Sequence, residues 1–177
     1  MRRAGRGPGE GEPSAPDPGW PRYSRRPFPA YRYVPGRSPH PRRDPRGHSH
    51  GLPEPDPPSF PPERWRESDG YLYAVDLYNF AYWWECHEIF EALWRAAGRS
   101  SEGGRFFQGL VLVAAAQLKA FAGSDAAALR LARRALARLE PIHGPRMGID
   151  VPDLARRVRA RFEGGAAIDL SIRLDPP

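Results

Sequence analysis

Cysteine and lysine are nearly missing from this 177-residue sequence: Cys86 and Lys119 are the only ones. A single cysteine excludes an intramolecular disulfide and any cysteine-cluster zinc site. Cys86 reads as a small core residue, because a neighbour such as His87 lies about 100° away around a helix and the pair would not face each other. No run of about 18 apolar residues occurs, so no transmembrane helix is expected. Arg2, Arg3 and Arg6 are not followed by an apolar stretch, which argues against a signal peptide. The patterns GxGxxG, GxxxxGK[ST] and GxSxG are all missing, which leaves nucleotide-dependent and α/β-hydrolase chemistry without a motif. Together these absences fit a soluble protein of a reducing, cytoplasmic compartment.

What is present is divided unevenly. Residues 1–66 hold 17 of the 22 prolines, with 13 Arg against 7 Asp/Glu, so the whole formal charge of +6 sits there. Residues 67–177 carry 14 basic and 14 acidic residues and are neutral. The high pI near 10.0 therefore describes the N-terminal third and not the rest. A pronounced arginine excess is also what GC-rich codons produce without functional demand. Such proline density blocks regular structure. The first 19 residues read as a disordered lead-in. Over 20–50, Trp20, Tyr23, Phe28, Tyr31 and Tyr33 alternate with Arg22, Arg25, Arg26 and Arg32, and His40, His48 and His50 follow. A solvated linker seldom carries so many rings, so an extended arm docked on the bundle is expected. An Arg/aromatic strip for nucleic acid is the less favoured alternative, resting on composition alone. Residues 51–62 read as a polyproline-type connector.

The second region, 67–177, reads as an all-α, small antiparallel bundle of about four to five helices. A first helix is expected from Ser68 to Ala97, stopped by Gly98. A second, over 101–122, is apolar nearly all round (GLVLVAAAQLKAF) and therefore central. A third follows over 125–140, its arginines on a solvated face. A loop through Pro141–Gly148 precedes a fourth helix beginning near Asp150 and Pro152. Ile168, Leu170, Ile172 and Leu174 alternate with polar residues, as in an extended segment packed on the bundle.

On an unbroken first helix, Tyr73, Phe80, Trp84, His87, Glu91 and Trp94 would share one stripe, with Glu88 at its edge. A carboxylate among large rings is costly unless paired or liganded. Three readings stand open. Glu and His satisfy each other in an internal network; or His87, Glu88 and Glu91, with Glu85 and the arm's His40, His48 or His50, hold a divalent metal; or Glu91 and His87 act as general acid and base. Trp84, Trp94 and Gln108 would line the pocket. The string HEIFE matches the zincin HExxH only in part, because Glu91 stands where the second histidine would be.

The segments DLYNFAYWWECHEIFEALWR (76–95), FFQGLVLVAAAQLKAFAG (106–123) and GIDVPDL (148–154) resemble the helical family catalogued as domain of unknown function 309. The resemblance covers about residues 70–162. The stretch YRYVPGRSPHPRRDPRGHSHG (31–51) also looks like an extension carried by a subset of such proteins. The family implies an all-α bundle and a bacterial-type cytoplasmic protein, and it implies no reaction. Its polar signature maps onto Glu85, His87, Glu88, Glu91, Trp94, Gln108 and Gly109. Two functions remain in view: a metal or small-molecule site, which leaves enzymatic activity open, or a non-catalytic module whose basic arm meets an acidic partner or nucleic acid.

Overall fold

The computed structural model describes residues 12–175. The N-terminal part of the expected lead-in, 1–11, lies outside them. Five helices form the bundle: α1 (Asp69–Asn79), α2 (Trp83–Ala96), α3 (Glu102–Phe121), α4 (Asp125–Leu139) and α5 (Val151–Phe162), preceded by a short 3-10 helix, Pro62–Glu67. The Ser68 hydroxyl caps α1 through the Tyr71 amide, Ser101 caps α3 through Gly104, and Asp150 caps α5 through Asp153. Each helix packs mainly on its neighbours in sequence. Helix α3 is buried on most of its faces, as its composition demands. At Gly109 the packing is so close that a Cβ would lie 2.4 Å from Leu139 Cδ2 of α4.

The expected single helix over 68–97 is two helices. No proline or glycine marks the break, which explains why the sequence hides it. Helix α1 ends in a Schellman arrangement: the Tyr82 amide donates to the Leu77 carbonyl and the Ala81 amide to Tyr78. Ala81 takes the left-handed position usually held by glycine, at φ 64. Tertiary contacts stabilise this strained turn. The Phe28 ring of the arm lies 4.9 Å from both Phe80 and Tyr82, and Arg32 Nε donates to the Phe80 carbonyl at 2.7 Å. Because the helix is broken, Tyr73 and Phe80 do not continue the stripe of Trp84, His87, Glu91 and Trp94.

The loop expected at 141–148 runs into a short antiparallel hairpin of two two-residue strands, β1 (Pro145–Arg146) and β2 (Ile149–Asp150). Met147 and Gly148 at its tip both have positive φ, 48 and 78, as the twist of a tight hairpin requires.

Two extended segments lie on α1, and two buried polar side chains hold them. Asp76, 0% exposed, accepts from Arg22 Nε and from the amides of Tyr23 and Ser24, all at 2.8 Å. Asn79 brackets Ile172: its amide donates to the Ile172 carbonyl at 2.8 Å and its oxygen accepts from the Ile172 amide at 2.7 Å. Chains without a sheet ladder must satisfy their peptide groups in some other way, and here α1 supplies the partners. Leu170, Ile172 and Leu174 are buried alongside. Among the described residues no helix is long and apolar enough to cross a membrane.

Candidate functional site

Helix α2 carries two polar clusters, one turned inward and one toward a rim. In the inward cluster Glu85 Oε1 accepts from the Tyr33 amide at 3.0 Å and from His48 Nε2 at 2.9 Å. The two side chains are 5% and 7% exposed. Glu85 Oε2 is buried and makes no hydrogen bond. On the far side of the imidazole, His48 Nδ1 meets Ser49 Oγ at 2.8 Å, and the Tyr31 ring lies 4.6 Å from it. A carboxylate can only accept, so Nε2 donates to Glu85; in the uncharged tautomer Nδ1 is then the acceptor for the Ser49 hydroxyl.

In the rim cluster His87 Nδ1 lies 3.6 Å from Glu88 Oε1 and 3.9 Å from Glu91 Oε2. Both distances exceed a hydrogen bond, and the buried Nδ1 is otherwise unpartnered. Ligand atoms from His87, Glu88 and Glu91 all fall within 4.8 Å of one another. The side chains are 25–35% exposed, so the group faces neither the core nor bulk water. Burial pushes the Glu88 carboxyl up, but the His87 imidazole beside it and the charges of Arg42 and Arg95 outweigh burial and hold it below its ordinary value.

Glu88 joins the two clusters. Its Oε2 lies 3.5 Å from Arg42 Nε, itself buried without a hydrogen bond. Arg42, His48, Ser49, Glu85 and Glu88 line a cleft of about 260 Å³ between the arm and α1–α2, walled by Trp84, Tyr73 and Leu77 among others. A larger cavity, about 420 Å³, opens between residues 59–62, the end of α2 and the start of α3, and contains none of the expected site residues.

The remaining expected residues separate. The His40 ring lies 5.4 Å from Trp84, and its Nδ1 accepts from the amides of Arg42 and Arg43. His50 Nδ1 meets the Arg42 carbonyl at 3.1 Å. His48 and Glu85 pair with each other. None of these four belongs to the group of His87, Glu88 and Glu91. Trp94 donates to the Arg99 carbonyl at 3.4 Å, and neither it nor Gln108 lines either cavity. Burial drives the Cys86 thiol well above its ordinary pKa, consistent with a packing role. Sequence reasoning overlooked Asp76, Asn79, Arg42 and Ser49. Asp76 and Asn79 had a signal, two polar residues three apart in an otherwise apolar DLYNF. Arg42 had none, since Glu88 lies some forty residues away, and Ser49 gains interest only through His48, whose other ring nitrogen meets the equally distant Glu85.

These features define an all-α bundle domain with a half-buried Glu/His group, one member of which, Glu88, lines an arm-covered cleft. Residues 71–131, from α1 to the first half of α4, match the family described as Domain of unknown function (DUF309). No curated protein matches the chain.

Proposed function

We propose that this domain binds a divalent first-row transition ion at His87, Glu88 and Glu91. One imidazole and two carboxylates suit Zn²⁺ or Mn²⁺. The observation that carries the reading is the His87 Nδ1 atom, buried beside two carboxylate oxygens and hydrogen-bonded to neither. Ligands about 2.1 Å from a common ion stand roughly 3.0–3.5 Å apart. The His87 separations of 3.6 and 3.9 Å need closure by only a few tenths of an ångström, and all three ligand atoms already lie within 4.8 Å of one another. Three protein ligands leave further coordination positions open, the pattern of a site that presents its ion to a small molecule. In this reading Glu91 and His87 are ligands and not acid/base groups. The alternative, a basic arm for an acidic partner or nucleic acid, has less support, because Arg22, Arg26, Arg32 and Arg42 each engage groups on the bundle.

Titration calorimetry with Zn²⁺ and Mn²⁺ on the full chain tests this. One equivalent is expected to bind, with a chelator-reversible rise in melting temperature. Both effects are lost in His87→Ala and in Glu91→Ala. Absence of stoichiometric uptake of either ion by the folded wild-type protein excludes the site.

A further inference from the structure

The cleft beside the rim cluster holds a second chemistry that needs no ion. We propose that Ser49, His48 and Glu85 form a hydroxyl–imidazole–carboxylate relay that makes Ser49 Oγ a nucleophile toward small carboxylic esters bound between the arm and α2. None of the three is a ligand in the proposed ion site, so the two readings stand or fall separately.

Nucleophilic serine requires a base within hydrogen-bond reach and a third group that fixes the base's tautomer and orientation. The separations of 2.8 Å and 2.9 Å meet both conditions. The carboxylate and the imidazole are almost wholly buried, and the Tyr31 ring limits rotation of the imidazole. Packing alone accounts for a serine that satisfies a neighbouring ring nitrogen. It does not account for the surroundings. All three residues line one cleft, where Glu85 Oε2 is a buried acceptor without a hydrogen bond and Arg42 Nε is a buried donor that has only the Glu88 carboxylate near it, at 3.5 Å. Buried groups without partners are rare, and two of opposite kind in one cavity are complementary to a ligand that has both a donor and an acceptor.

The reaction balances without any co-reactant except water. As Oγ attacks the ester carbonyl, its proton passes to His48 Nδ1, and negative charge grows on the carbonyl oxygen. The Arg42 Nε–H, which has no hydrogen bond and lies 3.5 Å from Glu88 Oε2, is the donor that would turn to that oxygen. The carbon–alkoxy bond then breaks, and the Nδ1 proton leaves with the alcohol. Water repeats the sequence on the acyl-serine, releasing the carboxylic acid and restoring the hydroxyl. Glu85 Oε1 keeps Nε2 protonated throughout and acts as a positioning residue. Its free Oε2 favours esters that carry an amino or hydroxyl group near the acyl carbon. The walls formed by Trp84, Leu77 and Ile89 limit the rest to a small apolar body.

The test uses a fluorophosphonate and a nitrophenyl ester on the full-length protein, with the modified residue located by peptide mass. Ser49 should be phosphonylated selectively, and one equivalent of nitrophenol should appear in a burst. His48→Asn should slow labelling by about 100-fold or more, the usual contribution of a placed base. Glu85→Gln should lower kcat with little change in KM, which loosening of the arm alone would not do. Should Ser49→Ala disturb the arm, Ser49→Cys provides a second route. Its thiol should react with iodoacetamide far faster than a free cysteine, and buried Cys86 serves as the internal control. Labelling of Ser49 no faster than of other serines, together with an ordinary rate for the Ser49→Cys thiol, overturns the proposal and leaves the contact as arm packing.

Discussion

Glu85 and His87 lie two residues apart on one helix and have different fates. Glu85 points under the arm, and one of its oxygens is fully used by Tyr33 and His48. His87 points to the rim, where its Nδ1 has two carboxylates near it and a hydrogen bond to neither. Asp76, buried and saturated with donors, is tied to the arm as Glu85 is. The difference separates structural from available polarity. A buried carboxylate whose partners come from a distant segment holds that segment in place. A half-buried group whose neighbours stop short of bonding distance keeps its lone pairs for something else.

The comparison can be broken most severely at Asp76. Asp76→Ala removes an acceptor from one guanidinium and two amides, and it should cost about 3 kcal/mol or more in urea unfolding. It should also open residues 20–30 to limited proteolysis. If neither stability nor cleavage changes, the arm is not anchored there. Next in size is the contrast within α2. Glu85→Ala should cost about 2–3 kcal/mol by stranding His48 and the Tyr33 amide, whereas His87→Ala should cost less than about 1 kcal/mol. Equal losses for the two would erase the distinction.

Smaller effects refine the picture. Ala81→Gly relieves a left-handed alanine and should raise stability by about 0.5–1 kcal/mol, after allowance for glycine's unfolded-state entropy. A loss would mean that the methyl group packs better than the strain costs. The smallest effect concerns acid. The folded Glu88 carboxyl titrates below its unfolded value, so its contribution is complete above the ordinary glutamate range. It is lost as pH falls from that range through the folded value. The stability of Glu88→Gln should therefore fall less steeply than that of wild type over this acid window. Parallel slopes would show that Arg42 and Arg95 do not hold the charge.

Much of the bundle was legible because helices announce themselves locally. The apolar circumference of 106–121, the Ser101 and Asp150 caps, and Gly98 and Gly123 at helix ends all act within a few residues. The break at 80–82 was not legible. Ala81 is a poor left-handed residue, and only the distant Phe28 and Arg32 stabilise the turn. That break alters the helical phase, so the aromatic stripe inferred from an unbroken helix does not exist across it. The rim group survived because His87, Glu88 and Glu91 all lie within one turn of α2.

The sequence alone therefore determined which stretches are helical, where most of them start, and that His87, Glu88 and Glu91 share a neighbourhood. Those properties depend on hydrogen bonds and side chains four residues apart or fewer. Only the tertiary structure decided which polar group is saturated and which is free. The partners of Asp76 and Glu85 arrive on an arm with no periodicity of its own, and its path is set by where buried carboxylates and rings can receive it.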